Sequence, residues 1–544
     1  MMKCSYNTPG PVVHSTVVHS TNGRPLGLIQ GFIESSLREP KRPALFVAGR
    51  LVTYEELRAA ALSMAATIKH AHRGDGQLIA ILGSRSFSVY AGILGILASG
   101  RGYVPLNPKF PPERLARIIE LSGISSVIVC PEAALLLPKL KGALTEPIQW
   151  LDGNAVTTRT AFDGNDLPPA IDEKAIAYLL FTSGSTGEPK GVAIRHCNVM
   201  PYIQWASTTY GFHLDDRFSQ AFELTFDVSV HDMFVCWENG ACLYVVPETD
   251  LSFPSKFINE NRLTCWYSVP SVISTMARLR LLKPGSLPTL RYSFFAGEAL
   301  SIESALLWAT AAANSRIENL FGPTEATITI ASHSWNGDRT ASSNGTVPIG
   351  KINPGHQYAL LDENDNEVPV DGLGELCVTG PQVALGYFHA QPERRDPFFR
   401  RPGSEALWYR TGDLVSCDAQ GNLIFRGRTD SQVKVRGHRV ELLEVDHWLQ
   451  KILLGCQVVS LSWPFNNLNC DCIYSAIETS EQESLIRTKE ILDQCRALLP
   501  EYMLPKDLFF LRNFPLNSNG KIDRKEISTI LTRKLDANRK TGNE

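Results

Sequence analysis

YLLFTSGSTGEPKGV, residues 178–192, is an apolar run that stops at a block of Ser, Thr and Gly. A proline and a lysine follow, and the chain then turns apolar again. Tyr178–Thr182 and Val192–Arg195 read as strands, so the small residues form the loop between two buried strands. Thr182, Ser183, Gly184, Ser185, Thr186 and Gly187 offer backbone N–H groups and hydroxyls with little bulk, the composition of a concave anion-binding nest. A plain Gly/Ser turn has the same composition, and the stretch alone fits either. The Walker phosphate loop is excluded in detail. Lys190 stands at the correct distance from Gly184, but Pro189 replaces the second glycine and Gly191 replaces the Ser/Thr that would hold magnesium. The loop therefore closes a strand pair, whereas the Walker loop opens a helix.

Working outward, short Val/Ile/Tyr-rich runs ("QLIAIL", "GYVPL", "SSVIVC", "CLYVVP", "RYSFFAG") alternate with helical ones from about Leu26 to Phe425. Strands buried on both faces and joined by helices predict an α/β fold with mostly parallel sheets layered with helices. The pattern changes at "GRTDSQVKVRGHRVELLEV", where Gly427 to Arg439 carries four Arg or Lys residues. After it comes a small α+β pattern: a strand pair, helices over Glu441–Leu453 and Ser484–Leu499, and strands over Gln457–Ser462, Asp471–Glu478 and Asp507–Leu511. The expected division is a disordered leader (1–25), a large domain (26–430), a small mobile domain (431–530) and a frayed tail (531–544).

The chain has 544 residues, 44% of them hydrophobic, and a net charge of −3. This length argues for at least two domains. The near-neutral balance gives no footprint for nucleic acid. The longest apolar stretch, Ser88–Ser99, is too short to span a bilayer. The start of the chain has no apolar core suited to a signal peptide. Twelve cysteines are scattered, many of them in apolar runs, which suggests a reducing, cytoplasmic setting and no disulfide framework. No His/Cys spacing resembles a zinc site.

"LLFTSGSTGEPKGV" resembles the signature loop of the adenylate-forming enzymes. These comprise acyl-CoA synthetases, luciferases and the adenylation domains of nonribosomal peptide synthetases. Further matches follow in family order: "LVTYEEL", "RGYVPLNPKFPPER", "FDVSVHDMF", "NLFGPTEAT", "GELCVTGPQVALGYF", "YRTGDLV", "GRTDSQVKVRGHRVELLEV", "LPEYMLP" and "NGKIDR". They cover roughly residues 27–530, and the last forms look like the branch that activates amino acids.

The resemblance implies attack of a substrate carboxylate on the α-phosphate of ATP, giving an acyl-adenylate and pyrophosphate, with Mg2+ assisting. Lys521 is the implied catalytic cation, a compact ammonium on a polar turn; outside this family such a lysine is ordinarily a solvated surface residue. Glu325 is the implied magnesium-linked carboxylate. Phe321 takes the place where most members stack a Tyr on adenine. Gly297, Glu298 and Ala299 match the other side of that site, and Asn319, Gly322 and Thr324 belong to the same run. Asp413 would accept the ribose hydroxyls, with Arg428 adding a positive contact to ribose or phosphate and Lys190 one to pyrophosphate. Asp430 is the implied hinge between the adenylation state and a state that admits a phosphopantetheine thiol.

Asp227 sets the substrate class, because in the amino-acid branch this aspartate pairs with the substrate's α-ammonium. A strand-end cap is the plainer reading of the same residue. The side-chain pocket carries over by motif to Val228, His231, Tyr267, Phe294, Ala296, Leu320, Ile328 and Thr329. It is crowded and mostly apolar, which suits a small neutral amino acid. Tyr267, Ala296 and Leu320 agree with free-standing prolyl activators and His231 departs from them, so serine and alanine stay open beside proline. His231 itself fits a satisfied core residue as well as a reader of substrate. No carrier signature follows Lys521, so the expected partner is a discrete carrier protein in trans, with no nucleic acid and no membrane. The alternatives are an acyl- or aryl-CoA ligase, and an inactive adenylation fold serving as a binding module.

Overall fold

The computed structural model describes residues 25–71, 76–154, 167–184, 187–338, 344–369, 372–389, 396–453, 456–464, 470–479, 485–516 and 522–541. Two compact units divide the chain. The first comprises 1–108, 115–181 and 191–429; the second comprises 109–114, 182–190 and 430–544. The glycine-rich loop is thus grouped with the C-terminal unit.

Two large sheets build the first unit. One runs in the order Tyr387–Phe388, Lys190–Arg195, Ile176–Thr182, Gly102–Leu106, Leu78–Leu82, Ser126–Val129 and Gln149–Asp152. The pairs from Ile176–Thr182 to Gln149–Asp152 are all parallel. Its strand Leu78–Leu82 is buried at every position, so it reads as a continuous apolar run and not as an alternation. The second sheet has a parallel centre, Arg316–Phe321, Tyr292–Phe295, Cys265–Ser268, Arg217–Gln220, Cys242–Val245 and Pro43–Val47. Antiparallel strands close its edges. Helix Phe87–Ala98 is apolar around its whole circumference because it lies within one continuous core that draws on strands of both sheets. Ser86 caps it, its hydroxyl accepting the Val89 N–H. A smaller antiparallel sheet follows, with Leu407–Cys417 central.

In the second unit a hairpin (Gln432–Val435 with His438–Glu441) leads into helix Leu442–Ile452. Strand Val458–Trp463 pairs antiparallel with Cys472–Glu478, which pairs parallel with Pro505–Leu511. Helix Leu442–Ile452 packs into one core of this unit and the final helix into the other. That final helix, Arg524–Thr541, corrects the expected frayed tail from 531 onward. Its buried Leu531 and Ile527 pack on Val459, Tyr474 and Phe509, and that packing extends the helix beyond what its polar sequence suggests.

Among the described residues every cysteine is a free thiol. No described helix is long and apolar enough to cross a membrane.

Candidate active site

In open parallel sheets, ligands bind outside the carboxyl ends of the strands. At those ends of the second sheet the first unit gathers most of the expected site. Tyr267 and Phe294 are register partners on neighbouring parallel strands, with ring centroids 5.6 Å apart. Ala296 and Gly297 follow the strand Tyr292–Phe295. Gly297 takes a φ of +85°, a conformation that glycine adopts without steric cost. Leu320 and Phe321 end the strand Arg316–Phe321, and both are buried. Asn319 donates its amide to the carbonyls of Val347 and Pro348, which anchors the strand end. Glu298 accepts the N–H of Ser271 at 2.8 Å, the first residue of a helix.

The run after Phe321 turns sharply. A Cβ on Gly322 would lie 2.5 Å from the Cα of Thr329, so only glycine fits this crossing. Thr324–Ala326 form a single 3-10 turn, and then Thr327 and Ile328 take φ of +57° and +69°. Two β-branched residues in the left-handed region store strain, and strain of this kind persists only where surrounding bonds impose it. Here Gln382 imposes it. Its amide nitrogen donates to the carbonyls of Ala326, Thr327 and Thr329, and its backbone carbonyl accepts the Thr327 hydroxyl. The outcome is that the Ile328 N–H points at Asp227, donating to Oδ2 at 3.1 Å.

Asp227 precedes a helix, Val228–Val230, and not a strand end as its β-branched surroundings suggest; its side chain makes no cap bond. The carboxyl is buried, and among the described residues no Lys, Arg or His pairs with it. Burial pushes its pKa up to about 7; the Ile328 N–H opposes the rise and the nearby Glu325 adds to it. Val228 is half-buried one residue on. His231 stands four residues after Asp227, where the helix widens into a π-turn over His231–Val235. Its Nδ1 meets the Tyr202 hydroxyl at 2.8 Å.

Glu325 is wholly buried and accepts the Tyr387 phenol at 2.8 Å. Among the described residues no group of three or more His, Cys, Asp or Glu forms a metal cluster. Magnesium bound beside phosphates needs only one or two protein carboxylates, and the Glu325 carboxylate, with the Tyr387 phenol on one oxygen, fits that donor set.

On the small sheet, Asp413 and Arg428 are antiparallel register partners, and their side chains pair at 2.5 Å. Arg428 also donates to the Thr411 carbonyl. The expected cation at ribose is therefore held on the expected ribose-binding carboxylate.

The glycine-rich loop is described at Thr182, Ser183, Gly184, Gly187 and Lys190; Ser185, Thr186 and Lys521 lie outside the described residues. A Cβ on Gly184 would lie 2.0 Å from the Glu188 carbonyl, and Gly187 has a φ of +84°. Both glycines are required by the turn. Ser183 donates to the Arg439 carbonyl at 2.9 Å and accepts the Glu441 N–H at 3.2 Å. The Gly184 N–H donates to Glu444 Oε2 at 3.2 Å, and Arg114 holds Glu444 Oε1 at 2.8 Å. Among the described residues of the loop, one backbone N–H, that of Gly184, is thus given to a carboxylate of the same unit. Asp430 opens the C-terminal segment, its carboxylate accepting the Gln432 N–H.

Three residues escaped the sequence reading. Gln382 and Tyr387 lie within the stretch Gly374–Phe388, whose resemblance singles out no one side chain. Tyr202 lies in a helix, with Val199, Tyr202 and Ala206 facing the core, and gave no signal of its own.

Comparison with known proteins bears on this site. A family model described as AMP-binding enzyme matches residues 32–388. The chain is 31% identical over 508 residues to the L-proline--[L-prolyl-carrier protein] ligase of Pseudomonas fluorescens, covering 91% of this chain and 98% of that protein. It is 30% identical over 508 residues to gramicidin S synthase 2 of Aneurinibacillus migulanus, covering 91% of this chain and 11% of that much longer protein. Among solved structures, the Vibrio cholerae adenylation domain AlmE in complex with glycyl-adenosine-5'-phosphate matches with a TM-score of 0.79 and 29% identity, covering 93% of this chain and 98% of that one.

Proposed function

This chain belongs to the AMP-binding enzyme family, and on that premise we propose that it activates a small neutral amino acid as its adenylate and passes it to the phosphopantetheine thiol of a separate carrier protein. The observation that carries the reading is Asp227. A buried carboxylate with no cationic partner among the described residues costs free energy that an incoming ammonium recovers. Fatty and aryl acids bring no such group, which sets the acyl- and aryl-CoA ligase alternative behind. Among small neutral amino acids, Tyr267, Ala296 and Leu320 agree with prolyl activators and one similar protein is a prolyl-carrier ligase, while His231 departs from that pattern and keeps serine and alanine open beside proline.

In this mechanism the strained Thr327–Ile328 turn and Asp227 fix the α-ammonium, which aims the substrate carboxylate at ATP. One carboxylate oxygen attacks the α-phosphorus; the new C–O–P bond forms as the bond to pyrophosphate breaks. Phe321 and the Gly297–Ala299 run hold adenine, with Asn319, Gly322 and Thr324 shaping the turn around it, and Asp413 accepts the ribose hydroxyls. The Thr182–Gly187 loop and Lys190 receive the phosphates. Lys521 contacts both reacting groups, and Glu325 would hold a magnesium ion, which supplies charge neutralisation on the phosphate oxygens when bound. Removing one preorganised donor at such a centre typically costs about 3–4 kcal/mol at the transition state. Asp430 serves as the hinge before thiol transfer. The free thiols agree with a cytoplasmic enzyme.

ATP–pyrophosphate exchange with a panel of carboxylic acids tests this. Exchange with small neutral amino acids, lost in Lys521→Ala while ATP binding persists, is expected. Exchange only with fatty or aromatic acids refutes the amino-acid reading, and no exchange with any acid favours an inactive binding module.

A further inference from the structure

The expected side-chain pocket holds more polarity than a purely apolar substrate uses. His231 is 1% exposed, with Nδ1 against the Tyr202 phenol and Nε2 buried without a partner among the described residues. The Tyr267 hydroxyl is also buried and, among the described residues, unpartnered, on a residue only 2% exposed. The Thr329 hydroxyl is buried close to the Tyr202 phenol. The His231 and Tyr267 rings stand perpendicular with centroids 5.0 Å apart, and Phe294 lies 5.5 Å from His231 on another side. Native interiors pair nearly all buried polar atoms, so unpaired ones on two rings in contact, four residues along from Asp227, mark a place where a ligand completes the bonding. The π-turn that begins at His231 is a second, independent mark, since such turns cluster at functional sites.

The direction of the Tyr202–His231 bond goes with the imidazole tautomer. Burial holds the phenol in its protonated form, against a smaller pull from the Thr329 side chain, so Tyr202 has a proton to donate to Nδ1. Burial keeps the imidazole neutral, its pKa pushed down to about 3. A neutral ring that accepts at Nδ1 carries its proton on Nε2.

Resting on the amino-acid reading above, we propose that Tyr202 fixes His231 as an Nε2–H donor to a hydroxyl on the substrate side chain, so that the preferred substrate is a small β-hydroxy amino acid and not proline or alanine. Tyr267 and Thr329 take the hydroxyl's remaining proton and lone pair. Phe294 limits the size of the substituent. A site built to bond a hydroxyl rejects analogues that lack it, because its own polar groups are then left unpaired. Tyr202 is a positioning residue, acting through His231 without touching the substrate.

The experiment is ATP–pyrophosphate exchange with serine, threonine, alanine and proline, on the full chain and three variants, with thermal melting to confirm folding. The parent is expected to favour serine or threonine over alanine and proline by roughly 10- to 100-fold in kcat/KM. His231→Leu should abolish that preference, whereas His231→Gln, which keeps an N–H donor, should retain most of it. Tyr202→Phe should lower the serine-to-alanine ratio about tenfold, mainly through the KM for serine. A parent that prefers alanine or proline overturns the proposal, as does a Tyr202→Phe variant that slows every amino acid equally. Exchange with no amino acid at all overturns both this inference and the activity on which it rests.

Discussion

Replacing Asp227 by Asn tests the electrostatics of the site at one atom. In the free protein the carboxyl titrates near 7 because burial disfavours its charge, with Glu325 adding to the effect. About one such carboxyl in eleven is then ionised at pH 6 and about ten in eleven at pH 8, so the affinity for the amino acid should rise about tenfold over that range. Asparagine cannot ionise, so this dependence should vanish. Stranding the ammonium without its partner should cost about 3–5 kcal/mol, seen as a loss of 10²-fold or more in kcat/KM. Stability should move the other way. A folded-state pKa raised from 3.8 to about 7 means that folding is favoured by the protonated form. That contribution is complete below the unfolded value and is lost as pH rises through 7. At pH 8 the parent therefore carries a penalty, at most about 4 kcal/mol, that the Asn variant lacks, and the substrate-free variant should melt higher. Exchange kinetics from pH 6 to 8, with melting curves at pH 8, measure both effects. A pH-independent KM in the parent, or an Asn variant with parental affinity, would show that the ammonium does not sit on this carboxylate.

Three further outcomes are expected. Gln382→Ala should lower the melting temperature and cut kcat/KM at least tenfold, because three buried carbonyls lose their donor and the Ile328 N–H loses its aim; parental values for both would refute the support assigned to Gln382. Gly322→Ala should lose soluble or active protein, since its Cβ meets backbone that has nowhere to move, and a fully active Ala variant would contradict the crossing. Arg114→Ala should destabilise the C-terminal unit by about 3–5 kcal/mol by leaving Glu444 buried and unpaired, whereas the double change Arg114→Met with Glu444→Leu should cost much less; equal losses in urea melts would argue against a buried pair.

Much of this was legible in the chain. The strand Ile176–Thr182 and the helix Phe87–Ala98 announce themselves by uninterrupted apolar runs of different length. The glycine loop announces itself by residues that tolerate close backbone approach. What failed was local inference where distant contacts decide. "LTFDVSV" carries the β-branched residues of a strand, yet Asp227 starts a helix. Residues 532–541 read as a polar tail, yet their helix is anchored by Leu531 and Ile527 in a core built from three strands. Arg428 reads as a positive contact for ribose or phosphate, and only the strand register shows that it faces Asp413. Gln382 and Tyr202 act through partners 53 and 29 positions away, which no window along the chain connects.

The left-handed pair Thr327–Ile328 bears on any attempt to retarget the pocket. One of its lining positions, 328, is tied to a backbone that β-branched residues occupy only under restraint. Libraries that randomise it would mostly sample collapse of the turn, and glycine or asparagine there would relax the loop while blunting its grip on the ammonium. Phe294 and Ala296 ride on or just beyond an ordinary strand with no such toll, so diversification aimed at new substrates has its freest alphabet there.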